Sequence, residues 1–374
     1  MKIACLVSGG VDSSVALALL RDAGHDVTAF YLKIWLEDEF QHLGDCAWEE
    51  DLTFIEKTCQ KLNIPLTVVS LQQEYWRSVV QETIAEVQAG RTPNPDIWCN
   101  ERIKFGAFYG KIPDEFEKVA TGHYAQTKEK NGKFFLKTAI DTKKDQTYFL
   151  SRLDQQQLSR ALFPIGHLPK QEVRRIAEEK KLPSRNRPDS QGICFLGKFK
   201  FSDFLRIHLG EQEGNIVEHE TGNVLGKHHG FWFYTHGQRQ GIGLSGGPWF
   251  VVEKRPNTNE IVVSKNAPEK SGKNTIILSR ENWIPVRPSA GKYRVKIRHS
   301  EVFEAGELFF DDKENTILQL EKPDRGLSPG QTAVIYDGEY CFGGGIISDD
   351  EYPSLFHPSN HGDEVDSSNK FLIS

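Results

Sequence analysis

Ser8-Gly9-Gly10-Val11-Asp12-Ser13-Ser14 stands between a short apolar run, Ile3 to Val7, and a stretch with apolar residues at Val15, Ala16, Leu19 and Leu20. Two glycines let a backbone approach an anion closely, and the amides that open a helix face it with the favourable end of the dipole. The spacing therefore predicts a phosphate cradle. It is neither the dinucleotide pattern GxGxxG nor a P-loop GxxxxGK, and the missing lysine argues against transfer of a terminal phosphate. A plain glycine turn with Ser or Asp capping a helix uses the same residue types, but the strand-to-helix position of this heptad favours the anion site.

A second group of residues could do sulfur chemistry. Asn94-Pro95-Asp96 is followed by Cys99, and far along the chain Cys194 lies in Ser190-Gln-Gly-Ile-Cys-Phe195. A helical turn at 95–99 would put Asp96 and Cys99 on one face. Asp96 is then either a general base or base-orienting group, or simply a helix cap. A thiol becomes a nucleophile when its pKa falls, and Arg102 and Lys104 beside Cys99, or Arg185 and Arg187 before Cys194, could lower it. Cys5, Cys46, Cys59 and Cys341 read as small buried hydrophobes, the usual fate of a free cysteine.

These residues need a scaffold. Ile3 to Val7, Val27 to Leu32, Leu66 to Val69 and Lys118 to Thr121 read as strands; Asp12 to Arg21, Trp48 to Leu62, Glu74 to Val87 and Lys170 to Lys181 read as helices. This alternation predicts an α/β, doubly wound parallel sheet, which binds ligands at the carboxyl ends of its strands. Beyond about Phe201, short β-rich runs take over, among them Gly230 to Tyr234, Trp249 to Val252, Thr275 to Leu278, Tyr293 to Arg298, Glu307 to Phe310, Thr316 to Leu320 and Ala333 to Tyr336. They suggest a small antiparallel barrel or sandwich. The expected organisation is a catalytic domain over 1–200, a small central β-rich domain over 201–268, a barrel-like domain over 269–350 and a flexible tail over 351–374.

The chain has 374 residues and a formal charge of -6, so a protein basic throughout is excluded. The sum hides a local excess: residues 168–206 hold 10 Lys/Arg against 5 Asp/Glu, and residues 127–152 hold 7 against 3. A basic stripe on an acidic protein can still guide a polyanion to one face. The apolar runs are too short for a membrane helix, and the N-terminus lacks a secretory pattern. Six scattered cysteines without a CxxC pair suggest neither a disulfide framework nor a metal site. A cytoplasmic protein with reduced thiols is expected.

The heptad resembles the SGGxDS loop of the PP-loop ATP-pyrophosphatases, in which the loop grips the pyrophosphate of ATP while an acceptor is adenylated. SGGVDSS, NPDIWCNERIKFG, ATGHYA (120–125), KKDQTYFLSRL (143–153), FPIGHLPKQEVRRIA (163–177), SQGICF and SPGQTAVIYDGEYCFGGGII (328–347) together resemble the MnmA-type tRNA 2-thiouridylases, in order from residue 1 to about 347. The resemblance implies that O2 of the wobble uridine of tRNA is replaced by sulfur. Leu6, Val7, Ser8, Gly9, Gly10, Val11, Asp12, Ser13, Leu32 and Gly122 would hold ATP, with Mg²⁺ on its phosphates. Asn94, Pro95 and Asp96 would meet the target base. Cys194 would carry sulfur as a persulfide delivered by a donor protein, with Cys99 its partner thiol. His123, Lys144, Asp145, Gln146, Arg298, His299 and Gln331 would meet tRNA. Two positions depart from the family, which commonly has Met at Leu32 and Tyr at His299. The chain is read as a monomer. Two rivals stand beside this reading: a PP-loop amidotransferase or ligase acting on a small acid or nucleotide, and a nucleotide-gated RNA-binding protein without catalysis.

Overall fold

The computed structural model describes residues 1–34, 47–189, 200–266, 274–324 and 326–349. Its first sheet holds five parallel strands in the order β3-β2-β1-β4-β7: β1 (Lys2–Leu6), β2 (Asp26–Lys33), β3 (Leu66–Ser70), β4 (Lys118–Ala120) and β7 (Ala161–Leu162). Successive side chains of a strand face opposite sides. Ala4 and Leu6 accordingly enter one core with Phe30, Phe108 and Phe116, while Ile3, Cys5 and Val7 enter another with Val15, Leu17 and Ile55. Burial on both faces explains why β1 reads as a continuous apolar run.

The order reverses beside β1, with β2 on one side and β4 on the other. This is the switch point at which a doubly wound sheet opens a crevice. Into it lead the turn from β1 to helix α1 (Val11–Asp22) and the turn after β4. The helix α2 (Ala47–Leu62) packs beside α1. The expected helix over 74–87 exists as Gln72–Tyr75 and Gln81–Gln88, joined by a wider π-type turn at Trp76–Val80.

The second half contains two separate sheets. One has four strands in the order β10-β11-β8-β9: β8 (Gly214–Glu218), β9 (Val224–His228), β10 (Phe250–Arg255) and β11 (Glu260–Ser264). It is mixed, because β11 pairs with β8 in parallel. Gly230 to Tyr234, expected as a strand, instead forms a short helical turn at Phe231–Phe233; Gly230 has φ of +139°, and Phe231 is buried in this domain's core. The other sheet runs β12 (Thr275–Trp283), β15 (Thr316–Leu320), β14 (Glu304–Phe310), β13 (Gly291–Lys296), β16 (Thr332–Asp337) and β17 (Tyr340–Ile347). Antiparallel pairing of β12 with β17 closes these six strands into a barrel, which leaves no open edge within the ring.

The hairpin of β5 (Ala125–Lys130) and β6 (Lys133–Thr138) belongs in sequence to the first 200 residues, yet β6 pairs with β17 of the barrel through Tyr340 and Cys341. The same junction holds the ion pair of Lys296 and Asp145, 3.4 Å apart with 1% and 2% of their side chains exposed. The tail over 351–374 lies outside the described residues.

Candidate active site

Gly10 precedes helix α1 at the capping position and offers it no side-chain cap. Its first amides have no partner within the helix by geometry, so they are available to an anion. Gly9 has φ of +75°, and a Cβ there would lie 2.9 Å from both Arg187 Nη1 and the Asp51 carbonyl oxygen. Only glycine satisfies the conformation and the space together. Arg187 seals this turn by donating to the Gly9 carbonyl (3.1 Å) and to Asp51 (2.7 Å). Ser13 Oγ lies 3.2 Å from the Ser8 amide and accepts from it, and Ser14 Oγ donates to the Gly10 carbonyl (2.8 Å). Leu6, Val7 and Val11 are buried and anchor the loop from below.

The turn after β4 reaches the same point. A Cβ on Gly122 would lie 2.7 Å from the Ser13 amide nitrogen, so this glycine lets two backbones meet at the crevice. Leu32 lies near the end of β2, the strand next to β1. The cradle fits a pyrophosphate: two glycines, an open helix start and close backbone approach from a second strand.

Asp12 is already engaged. Lys170, the first residue of α4 (Lys170–Glu179), donates to both of its oxygens at 2.7 and 2.9 Å, and Tyr124 donates to Oδ1 at 2.8 Å. Burial, and then the Asp12 charge, push the Tyr124 phenol far up, so it stays a donor. Lys170 also reaches Asp189 (2.8 Å), as do Lys144 (2.7 Å) and Arg174 (2.6 Å). Lys170, Tyr124, Arg174 and Asp189 were not singled out as site residues from sequence. The signal available was a basic helix starting directly after Pro169.

Asn94 caps the short helix α3 (Pro95–Trp98), accepting from the Ile97 amide at 3.4 Å, with Pro95 at its first position. Asn94 therefore takes the capping role, and Asp96 sits inside the first turn. Cys99 follows, buried, at the start of a wider turn, Cys99–Lys104. Arg102, expected to lower the Cys99 pKa, is instead tied to Glu82 and lies over the Trp98 ring. Lys104 donates to Asn100 Oδ1 at 3.0 Å and bears on His123. Burial and the Lys104 charge hold the His123 imidazole well below its ordinary pKa, and its Nδ1 lies 2.8 Å from Thr121 Oγ1. The His123 ring packs edge-on to Phe163 (6.2 Å), which packs edge-on to Phe105 (6.0 Å), so the residues after Gly122 reach the end of the Cys99 turn. Cys194 and Cys46 lie outside the described residues; Arg185 is paired with Glu178 (3.3 Å).

The remaining sites gather around one loop. Gln146 Oε1 accepts from the Tyr124 amide (3.0 Å), which fixes the loop beside His123. His299 lies against Phe149 with the rings tilted by 34° and their centres 4.5 Å apart, and its pKa is lowered by burial and the Lys296 charge, while Asp145 and Asp96 oppose the shift. Asn94 lies beside the Tyr148 phenol. The 94–96 turn and the barrel residue His299 are therefore neighbours. Arg298 forms a two-pronged pair with Asp324 (2.8 and 2.6 Å). The side-chain amide of Gln331 lies beside the carbonyls of Gly326 and Ile297. Asp145 is held from within the fold. Its buried carboxylate accepts from the Ala139 amide (3.0 Å), Thr147 (2.8 Å) and Lys296, so its side chain joins the loop to the barrel.

Cys5, Cys59 and Cys341 are buried as expected, and burial pushes the Cys59 thiol up to about 11 and the Cys341 thiol up to about 12. They stay protonated and unreactive. Among the described residues no His, Cys, Asp and Glu group could hold a metal ion, and no helix is long and apolar enough to cross a membrane.

A parallel-sheet nucleotide domain joined to two β-rich domains defines a class of tRNA-modifying proteins by family description. Residues 1–198 match the tRNA methyl transferase HUP domain, 202–265 its PRC-barrel domain, and 273–347 the aminomethyltransferase beta-barrel domain. The chain belongs to this family, and within it to the group of MnmA-type 2-thiouridylases. It is 47% identical over 360 residues to the tRNA-specific 2-thiouridylase MnmA of Parabacteroides distasonis, covering 94% of this chain and 99% of that one. It is 45% identical over 360 residues to the MnmA of Porphyromonas gingivalis strain ATCC 33277, covering 93% and 99%. Among solved structures, the U34-tRNA thiolase NcsA of Methanococcus maripaludis is 16% identical, with a TM-score of 0.35 over 56% of this chain and 67% of that one. That likeness is too slight to build on.

Proposed function

We propose that this chain is an ATP-dependent tRNA 2-thiouridylase that replaces O2 of the wobble uridine with sulfur. The observation that carries the reading is that Gly122 meets the anion cradle at Ser13, while the next residue, His123, packs on Phe163 and through it on Phe105, which ends the turn opened by Cys99. A methyl transfer gives no reason for such a cradle in the same domain as the Asp96–Cys99 turn. The naming of the full-length relatives agrees with thiolation.

A uridine carbonyl is a poor electrophile because its oxygen leaves badly. ATP supplies an AMP leaving group on that oxygen. The cradle would hold the pyrophosphate portion, Leu32 would lie beside the adenine, and Mg²⁺ would ride on the phosphates. Asn94, Pro95 and Asp96 would hold the extruded base, a step of modest cost in a single-stranded loop. Lys144, Gln146, Arg298, His299 and Gln331 would meet the surrounding tRNA. Cys194 would bear the persulfide delivered by a sulfur-carrying protein; its outer sulfur attacks C2, and AMP departs with the former O2. Cys99 then attacks the inner sulfur, the sulfur–sulfur bond breaks, 2-thiouridine is released and a Cys99–Cys194 disulfide remains for a thiol reductant to reset.

Mass analysis of nucleosides from tRNA incubated with the protein, ATP, Mg²⁺ and a sulfur donor tests the reading. 2-Thiouridine is expected; ATP consumed with a small acceptor and no tRNA would favour the ligase rival instead.

A further inference from the structure

The loop Ser8–Ser13 has no lysine, so the cations that face a pyrophosphate must come from elsewhere in the fold. Three of them converge on one carboxylate. Asp189 receives Lys144 on Oδ2 (2.7 Å), and Lys170 (2.8 Å) and Arg174 (2.6 Å) on Oδ1. Lys170 at the same time holds Asp12, next to Ser13 in the first turn of α1. The stretch before Asp189 is fastened to the loop as well, because Arg174 donates to the carbonyls of Arg185 (3.2 Å) and Arg187 (2.9 Å), and Arg187 donates to the Gly9 carbonyl. The cluster therefore borders the cradle.

We propose that Lys144, Lys170 and Arg174 form the cationic half of the pyrophosphate site and that Asp189 is a built-in competitor, which the ligand's phosphates displace. The inference rests on the reading above that Ser8–Ser13 holds the pyrophosphate of ATP. Burial acts to raise the Asp189 carboxyl, yet the hydrogen bonds and charge of Lys144, Lys170 and Arg174 prevail and keep it ionised. A single carboxylate shared among three cations is a weaker partner than a phosphate bearing more charge and more acceptor oxygens. About a third of the Asp189, Arg174 and Lys144 side chains is exposed, at 31%, 35% and 40%, so a ligand can reach them and the carboxylate can leave. Competition of this kind lowers apparent affinity by the fraction of time the site is occupied from within. A purely structural Asp189 would have no such effect.

The test is titration calorimetry of inorganic pyrophosphate into the full chain without tRNA. Asp189→Asn is expected to bind about fivefold to tenfold tighter than the parent, and Lys144→Gln about threefold to tenfold weaker. Unchanged or weaker binding by a folded Asp189→Asn overturns the inference. Amide exchange on the parent chain provides a check that needs no variant: saturating pyrophosphate should speed exchange at 185–189, and unchanged or slower exchange there overturns it too. A parent chain that thiolates tRNA while Asp189→Asn shows no gain refutes this inference alone. A parent chain that neither binds pyrophosphate nor uses ATP with tRNA refutes the functional reading and this inference together.

Discussion

Lys170 Nζ lies 2.7 and 2.9 Å from the two carboxylate oxygens of Asp12, although 158 residues separate them in sequence. The pair places the only charged residue of the heptad under the control of a helix that is distant in sequence but packs against α1. Asp12→Ala and Lys170→Met should both reduce tRNA-dependent AMP formation by about 100-fold, the scale for losing one preorganised charge at a reacting group. Filter binding of tRNA should change far less; loss of tRNA binding in step with AMP formation would contradict the assignment.

Gly122→Ala should loosen the junction between β4 and α1. The added Cβ would fall 2.7 Å from the Ser13 nitrogen, which belongs to backbone and cannot swing aside. Overpacking of this kind costs about 1–3 kcal/mol, so the melting temperature should fall and the apparent KM for ATP should rise. Alanine at 122 with parental values of both would show that the two backbones have room.

Breaking the Lys296–Asp145 pair should destabilise the fold strongly, because either partner left alone is a buried, uncompensated charge. Lys296→Met is expected to cost about 3–5 kcal/mol in denaturant unfolding. The double variant Lys296→Met/Asp145→Asn should recover part of that loss. A double variant as unstable as the sum of the singles would mean that the two residues act independently.

Acid should weaken the fold starting near neutrality. Burial lowers the pKa of His123, His228 and His299. The unfolded chain takes up protons below about pH 6.5 where the folded chain does not, so stability is full above that pH and is lost as pH falls towards the depressed values. Chemical unfolding at pH 7.5 and pH 5.5 should show the drop, and His123→Gln should remove part of it. An equal drop in that variant would clear His123 of any share.

Cys194→Ala should abolish 2-thiouridine while leaving tRNA-dependent AMP formation. Continued thiolation by this variant would remove the persulfide role.

The cradle was legible because its signal is local: seven consecutive residues between an apolar run and a helical pattern. The parallel sheet was legible for a similar reason, since strand and helix periods alternate along the chain. What could not be read were partnerships across long sequence distances, such as Lys170 with Asp12 or Asp189 with three cations. Asp145 was assigned with its neighbours through the family resemblance alone, and only the fold brings Lys296 to its carboxylate. Gly230 to Tyr234 misled because aromatic residues favour strands, whereas a glycine at φ of +139° turns the chain here. Arg102 misled because sequence proximity to Cys99 said nothing of Glu82.

Ala125 opens the hairpin that ends on the barrel strand β17, and it stands three positions after Gly122. Three residues of backbone therefore separate the hairpin that docks on the barrel from the glycine at the crevice. Severing the chain near residue 200 would strip that hairpin of its neighbour and leave an unpaired strand edge prone to self-association. The barrel strand β17 thus covers an edge that the first 200 residues would otherwise leave open.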